Sequence, residues 1–113
     1  MTDCIFCRIV QREIPAKIVF EDEAALAFED IRPEAPVHLL VIPKQHIASL
    51  SEVTGADQDL IGHLFAVAGN LARERNLEGG YRTVMNNGAG AGQTVFHLHV
   101  HLLGGRAFHW PPG

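Results

Sequence analysis

Phe96-His97-Leu98-His99-Val100-His101-Leu102-Leu103 alternates histidine with aliphatic or aromatic residues at a strict period of two. Period two is the signature of a β-strand, where successive side chains point to opposite faces. The reading predicts a row of His97, His99 and His101 on one face, with Phe96, Leu98, Val100 and Leu102 entering a core on the other. Same-face neighbours on a strand lie about 6.5 to 7 Å apart, so the outer two Cα positions of the row are about 13 Å apart. Three imidazoles spread in this way do not share one metal ion, and the row must divide its work. A lone histidine is usually a surface or satisfied core residue; three in alternation with core aliphatics point to chemistry.

Immediately before the row, Asn87-Gly88-Ala89-Gly90-Ala91-Gly92-Gln93-Thr94 is a glycine-rich turn. It lacks the Lys-Ser/Thr pair of a P-loop, and a strand follows where both the P-loop and the dinucleotide fingerprint need a helix. What remains is backbone chemistry. Gly88, Gly90 and Gly92 permit positive φ, so successive amides can line an anion-binding concavity, with Gln93 and Thr94 adding side-chain donors. Alone, such a loop is an ordinary hairpin connection; beside three histidines it is a candidate phosphate cradle. A neutral imidazole at His99 or His101 can attack phosphorus while loop donors hold the equatorial oxygens and a second histidine supports the leaving group. No cation-binding carboxylate cluster accompanies them, so magnesium is not invoked. His38, isolated among aliphatics, fits a core or an orienting role.

Further out, residues 81–86 read as the strand paired with the histidine strand. Thr54-Gly55-Ala56-Asp57 has the spacing of a capping box, and Leu60, Leu64, Val67 and Leu71 make one helical stripe predicted to run to about Leu77, where Gly79-Gly80 stops it. His38-Leu39-Leu40-Val41-Ile42 reads as a buried strand closed by Pro43, after a connection over residues 30–36 whose prolines exclude helix. Residues 17–21 and 24–28 read as a hairpin. Ile5, Phe6, Ile9 and Val10 recur at helical spacing in a short amphipathic helix over residues 4–11, and the segment from Gly104 onward is an irregular tail. The pattern implies an α+β domain, an antiparallel sheet with helices on one face, covering residues 1–113.

At 113 residues and 47% hydrophobic composition the chain supports one core and is short for two. A net charge of -4 provides no basic field for a nucleic-acid backbone. No apolar run approaches a membrane span, and Met1-Thr2-Asp3-Cys4 lacks the cationic and apolar regions of a signal peptide. The expectation is a cytoplasmic protein that meets a small anionic ligand locally, without nucleic acid polymer or membrane as partner. Cys4 and Cys7 are too close in sequence to close a stabilising loop and form half of a zinc site. Further ligands are available at His46, His63, His97 and His109, and two reduced thiols are the plainer alternative.

His97-Leu98-His99-Val100-His101-Leu102-Leu103 resembles the H-x-H-x-H-hydrophobic-hydrophobic signature of the histidine triad (HIT) proteins. Asp30-Ile31, Pro43-Lys44-Gln45-His46, Asn86, Gly92-Gln93-Thr94 and Gly104-Gly105-Arg106 stand where that family has them, so the resemblance covers nearly the whole chain. The ending His109-Trp110-Pro111-Pro112-Gly113 resembles the nucleotide-binding Hint branch rather than the Fhit branch of diadenosine polyphosphate hydrolases. The resemblance implies a HIT-like fold with a five-stranded antiparallel sheet, one long and one short helix, and a homodimer whose sheets join into ten strands. It implies hydrolysis of purine nucleoside 5′-phosphoramidates, such as adenylated amines, to nucleoside monophosphate and amine through a covalent nucleotidyl-histidine.

Carried over by matching position, the resemblance makes His99 the nucleophile, with His101, His38 and Thr94 completing the catalytic set. Asn86, Gly92, Gln93, Thr94 and His101 would hold the phosphate. Asp30 would accept from the ribose hydroxyls, and Phe6, Ile9, Phe28 and Ile31 would surround the base. Thr94 stands in place of a common serine, keeping the hydroxyl and adding a methyl, and Asn87 is neutral where charge varies in the family. Cysteine-bearing relatives imply a structural zinc on Cys4, Cys7, His46 and His97, catalysis itself needing no cofactor. Rival readings are a zinc-dependent hydrolase using the histidine row, which chelation would silence, and a nucleotide-binding interaction module with negligible turnover.

Overall fold

A computed structural model describes residues 3–113. Met1 and Thr2, which belong both to the start read above as lacking a leader and to the predicted domain span, lie outside the described residues. In chain order the elements are helix α1 (Ile5–Val10), strands β1 (Ile18–Glu21), β2 (Ala25–Glu29) and β3 (Val37–Pro43), helix α2 (Gln58–Glu74), and strands β4 (Tyr81–Val84) and β5 (Val100–Gly104). They form a five-stranded sheet of order β1-β2-β3-β5-β4, with every neighbouring pair antiparallel.

The expectation of helices on one face is corrected. Strands β2 and β3 are apolar along nearly their whole length, so both faces need cover. Ala25, Ala27, Leu39 and Val41 pack with Leu64, Val67, Ala68 and Leu71 of α2, whereas the alternate residues Leu26, Phe28, Leu40 and Ile42 pack with Phe6 and Ile9 of α1. A six-residue helix is too short to persist alone. Burying Phe6 and Ile9, worth about 1.5–3 kcal/mol each, is what holds α1 on the sheet.

The capping box precedes α2 as expected, across one 3-10 turn. Thr54 Oγ1 accepts from the Ala56 N–H at 3.3 Å, and the Asp57 carboxylate accepts from the Thr54 N–H at 3.0 Å. The far end differs from the reading. Helix α2 stops at Glu74 rather than near Leu77, because Asn76 adopts φ 59° and the Leu77 N–H turns back to the Ala72 carbonyl at 3.0 Å. This is a left-handed cap supplied by asparagine, which the pair Gly79-Gly80 masked.

Strand β5 also begins later than the alternation suggests. Its ladder with β3 starts where Val100 meets Val41, and residues 94–99 approach as an irregular segment. The Pro43 carbonyl accepts from the His97 side chain instead of continuing the ladder. Leu98, Val100 and Leu102 still enter the core beneath α2, but Phe96 does not: it is 49% exposed. Strand β4 ends at Val84, short of the predicted Asn86. Among the described residues no helix is long and apolar enough to cross a membrane.

Candidate active site and metal cluster

The irregular approach to β5 turns the histidine row into two separate sites. At its first end His97 is fully buried, and its Nε2–H donates to the Pro43 carbonyl at 2.8 Å. That bond fixes the tautomer and leaves the Nδ1 lone pair pointing elsewhere. His97 Nδ1 lies 3.3 Å from Cys4 Sγ, 3.5 Å from Cys7 Sγ and 3.2 Å from His46 Nδ1, and Cys7 Sγ lies 3.4 Å from His46 Nδ1. Zinc bonds of about 2.3 Å to sulfur and 2.0–2.1 Å to nitrogen give tetrahedral edges of about 3.5 Å for S···N and 3.3 Å for N···N. The four residues therefore fit a tetrahedral metal ion. Burial pushes the His97 pKa down to about 4, which keeps the imidazole in its ligating, neutral form.

The other end uses the opposite nitrogens. His99 Nδ1–H donates to the His97 carbonyl at 2.7 Å, so Nε2 carries the lone pair. At His38 the Glu34 backbone N–H donates to Nδ1 at 3.0 Å, so the His38 proton sits on Nε2, which lies 2.9 Å from His101 Nδ1. His101 must then accept at Nδ1 and carry its own proton on Nε2. The two cleft histidines thus offer one nucleophilic nitrogen and one donor, and the ring centroids of His99 and His101 are 5.0 Å apart. His38 takes the orienting role, assisted by Asp30 Oδ2 at 3.4 Å. Burial lowers the His99 pKa, against the His97 bond and Asp30, which raise it. Burial and then the neighbouring His99 and His38 push His101 down to about 4, with Asp30 opposing.

Both rings line a cleft of about 330 Å³ together with Thr94, Asp30 and Ile31. Phe6 and Ile9 from α1 and Phe28 from β2 form its apolar wall. Phe6 stands edge-on to His99, with centroids 5.2 Å apart, and to Phe28, at 5.3 Å. Asp30 is held by the Arg32 N–H at 2.8 Å on Oδ1, and Ile31 is 92% exposed at the rim. A cleft with an apolar slot, a carboxylate and two imidazoles of opposite polarity can receive a base, a sugar and a phosphoryl group in that order.

The glycine loop corrects the reading of a cradle made of successive amides. The N–H groups of Ala91 and Gln93 donate to the Gly88 carbonyl, and that of Gly92 to Ala89, within one 3-10 turn. Gly88 and Gly92 take positive φ, at 90° and 97°, and Gly90 does not. Gln93 is buried: its Nε2 donates to the carbonyls of Ala48 and Val95, and its Oε1 accepts from the Gly88 N–H. Both amide protons are spent on backbone, so the Gln93 side chain shapes the loop. The cleft lining likewise does not include Asn86 or Gly92; of the predicted phosphate residues, Thr94 and the two histidines reach it.

Sequence reasoning missed Glu34, whose backbone N–H sets the tautomer of His38, and Pro43, whose carbonyl sets that of His97. Main-chain groups leave no residue-type signal, although Pro33 and Pro36 mark the connection that aims the first. It also missed Ile14, Pro15, Ala16 and Val95 in the cleft wall.

Comparison with known proteins extends over nearly the whole chain. The family model described as "Scavenger mRNA decapping enzyme C-term binding" matches residues 3–108. A HIT-like protein of Synechococcus elongatus is 58% identical over 98% of this chain and 97% of its own length. The crystal structure of a HIT family hydrolase from Legionella pneumophila is similar at a TM-score of 0.96 and 54% identity, covering 98% of this chain and 100% of that one. A histidine triad nucleotide-binding protein from Candida albicans is similar at a TM-score of 0.83 and 33% identity, covering 98% of this chain and 85% of that one.

Proposed function

The chain belongs to the histidine triad (HIT) family, and from that premise we propose that it is a hydrolase of purine nucleoside 5′-phosphoramidates. The observation that carries the reading is the pair of opposed tautomers. The His97 carbonyl holds the His99 Nδ1–H, freeing Nε2 to attack, while His38 holds His101 Nδ1 and leaves its Nε2–H to donate. The base lies between Phe6, Ile9, Phe28 and Ile31, the ribose hydroxyls donate to Asp30, and the α-phosphoryl group sits at Thr94 and the histidines.

In the first step a bond forms between His99 Nε2 and the α-phosphorus and the P–N bond to the amine breaks. The amine leaves with a proton drawn from solvent through the open cleft. His101 Nε2–H and the Thr94 hydroxyl donate to the phosphoryl oxygens, where charge accumulates. Water then cleaves the nucleotidyl-histidine and returns a proton, giving nucleoside monophosphate. Enzyme quenched during turnover and measured by intact mass should carry one nucleotidyl group on a peptide containing His99; no adduct under single-turnover conditions would falsify covalent catalysis here.

Cys4, Cys7, His46 and His97 hold one structural zinc in this reading. Four protein ligands complete a tetrahedral shell and leave no position for a reacting water, which counts against the zinc-hydrolase alternative. The protein works in the cytoplasm, where its two cysteines remain thiolate ligands. It works as a homodimer: β4 is an edge strand that exposes Tyr81 and Thr83, and such edges are protected by pairing. Sedimentation at micromolar concentration tests this, and a fully active monomer would refute it.

A further inference from the structure

A groove of about 410 Å³ adjoins the catalytic cleft, and the two share Ile5, Thr94 and Val95 as common lining. The groove adds Asp3 and Phe96, and the metal-cluster residues Cys4 and His46 lie along it. Ile5 and Phe96 are 47% and 49% exposed, although the strand alternation assigns Phe96 to the core. We infer that this groove receives the amine portion of the substrate, namely an amine with an apolar chain and a second, cationic group at its far end. The inference rests on the phosphoramidase reading above.

Three observations lead there. Among the residues assigned to the phosphate, Thr94 alone lines both hollows, so a group attached to phosphorus passes from cleft to groove at that residue. The nucleoside already fills the other direction, against Phe28, Asp30 and Ile31. The chemistry of the groove is that of an alkylammonium: Ile5, Val95 and Phe96 supply apolar surface, Asp3 supplies a carboxylate, and among the described residues its lining includes neither lysine nor arginine. A leaving group made of further phosphates would meet a carboxylate and no cation, so the same groove disfavours dinucleoside polyphosphates.

The test uses adenosine 5′-phosphoramidates of methylamine, butylamine and 1,4-diaminobutane, each compared between wild-type and variant proteins so that differences in amine basicity cancel. Three additional methylenes, partly buried, should raise kcat/KM of the butylamine substrate about tenfold over the methylamine one. The second ammonium should add about threefold at low salt. Phe96→Ala should cut the butylamine advantage below about threefold, and Asp3→Asn should remove the diamine advantage, both leaving the methylamine substrate unchanged. Equal kcat/KM for all three substrates on the wild-type protein, or advantages that survive both substitutions, overturns the groove assignment while the phosphoramidase reading stands. Absence of turnover with all three overturns both.

Discussion

His97 and His99 stand two residues apart, both almost wholly buried, and are held in opposite tautomers. His97 gives its Nε2 proton to a carbonyl and turns Nδ1 toward two thiols; His99 gives its Nδ1 proton to a carbonyl and turns Nε2 toward an open cleft. Residue type and spacing are the same at both positions. Which main-chain oxygen lies within reach decides which ring nitrogen is left open and where it points, so the division of labour proposed for the row rests on the backbone around it.

The comparison breaks hardest at His99. His99→Ala should lower turnover by at least about 1000-fold while nucleoside monophosphate affinity stays within a few-fold, because Asp30, Thr94 and the apolar wall remain; single-turnover rates and calorimetry measure the two. Near wild-type turnover would mean that the cleft end of the row is not the reacting end. At the other end, if the proposed zinc is held there, Cys4→Ser with Cys7→Ser should abolish its binding and cost about 2 kcal/mol, lowering Tm by about 10 °C. Turnover of the folded fraction should persist. Full metal content in the double variant, read by elemental analysis of untagged protein, would remove the metal from this end.

A smaller effect sharpens the contrast. Burial lowers the His99 pKa from its ordinary 6.5. A depressed pKa keeps the imidazole neutral to lower pH, and the protonated nucleophile is silent, so activity is held above the folded-state pKa and lost as pH falls through it. The acid limb of kcat/KM, which reports the unliganded enzyme, should therefore centre below 6.5. A limb at or above that value would mean that water reaches His99 as it reaches an exposed side chain.

Much of the fold was legible because it depends on side-chain pattern: the hairpin of β1 and β2, the apolar β3, and the capping box and stripe of α2. The misses share a cause. Phe96, Asn76 and the loop amides are governed by where a ladder begins or a turn closes, and those events are decided by main-chain partners distant in sequence. The site follows the same rule. Asp30, Thr94, His99 and His101, which line the cleft, could be named from residue type and family pattern, whereas the loop contacts of Gln93 could not, because an amide side chain serves equally well as a ligand donor or as a loop brace. Here it is buried and bonded to three backbone groups.

The ladder between β3 and β5 sets His38 opposite Leu103 and Leu40 opposite His101. The members of the cleft come from opposite ends of the chain: Phe6 from α1, Asp30 from beside β3, His99 from the irregular approach to β5 and His101 from β5 itself. No excised fragment can carry the chemistry, and a cut anywhere between Asp30 and His101 severs parts that act together. The centre is indivisible in sequence, so this chain cannot lend it to another protein as a segment.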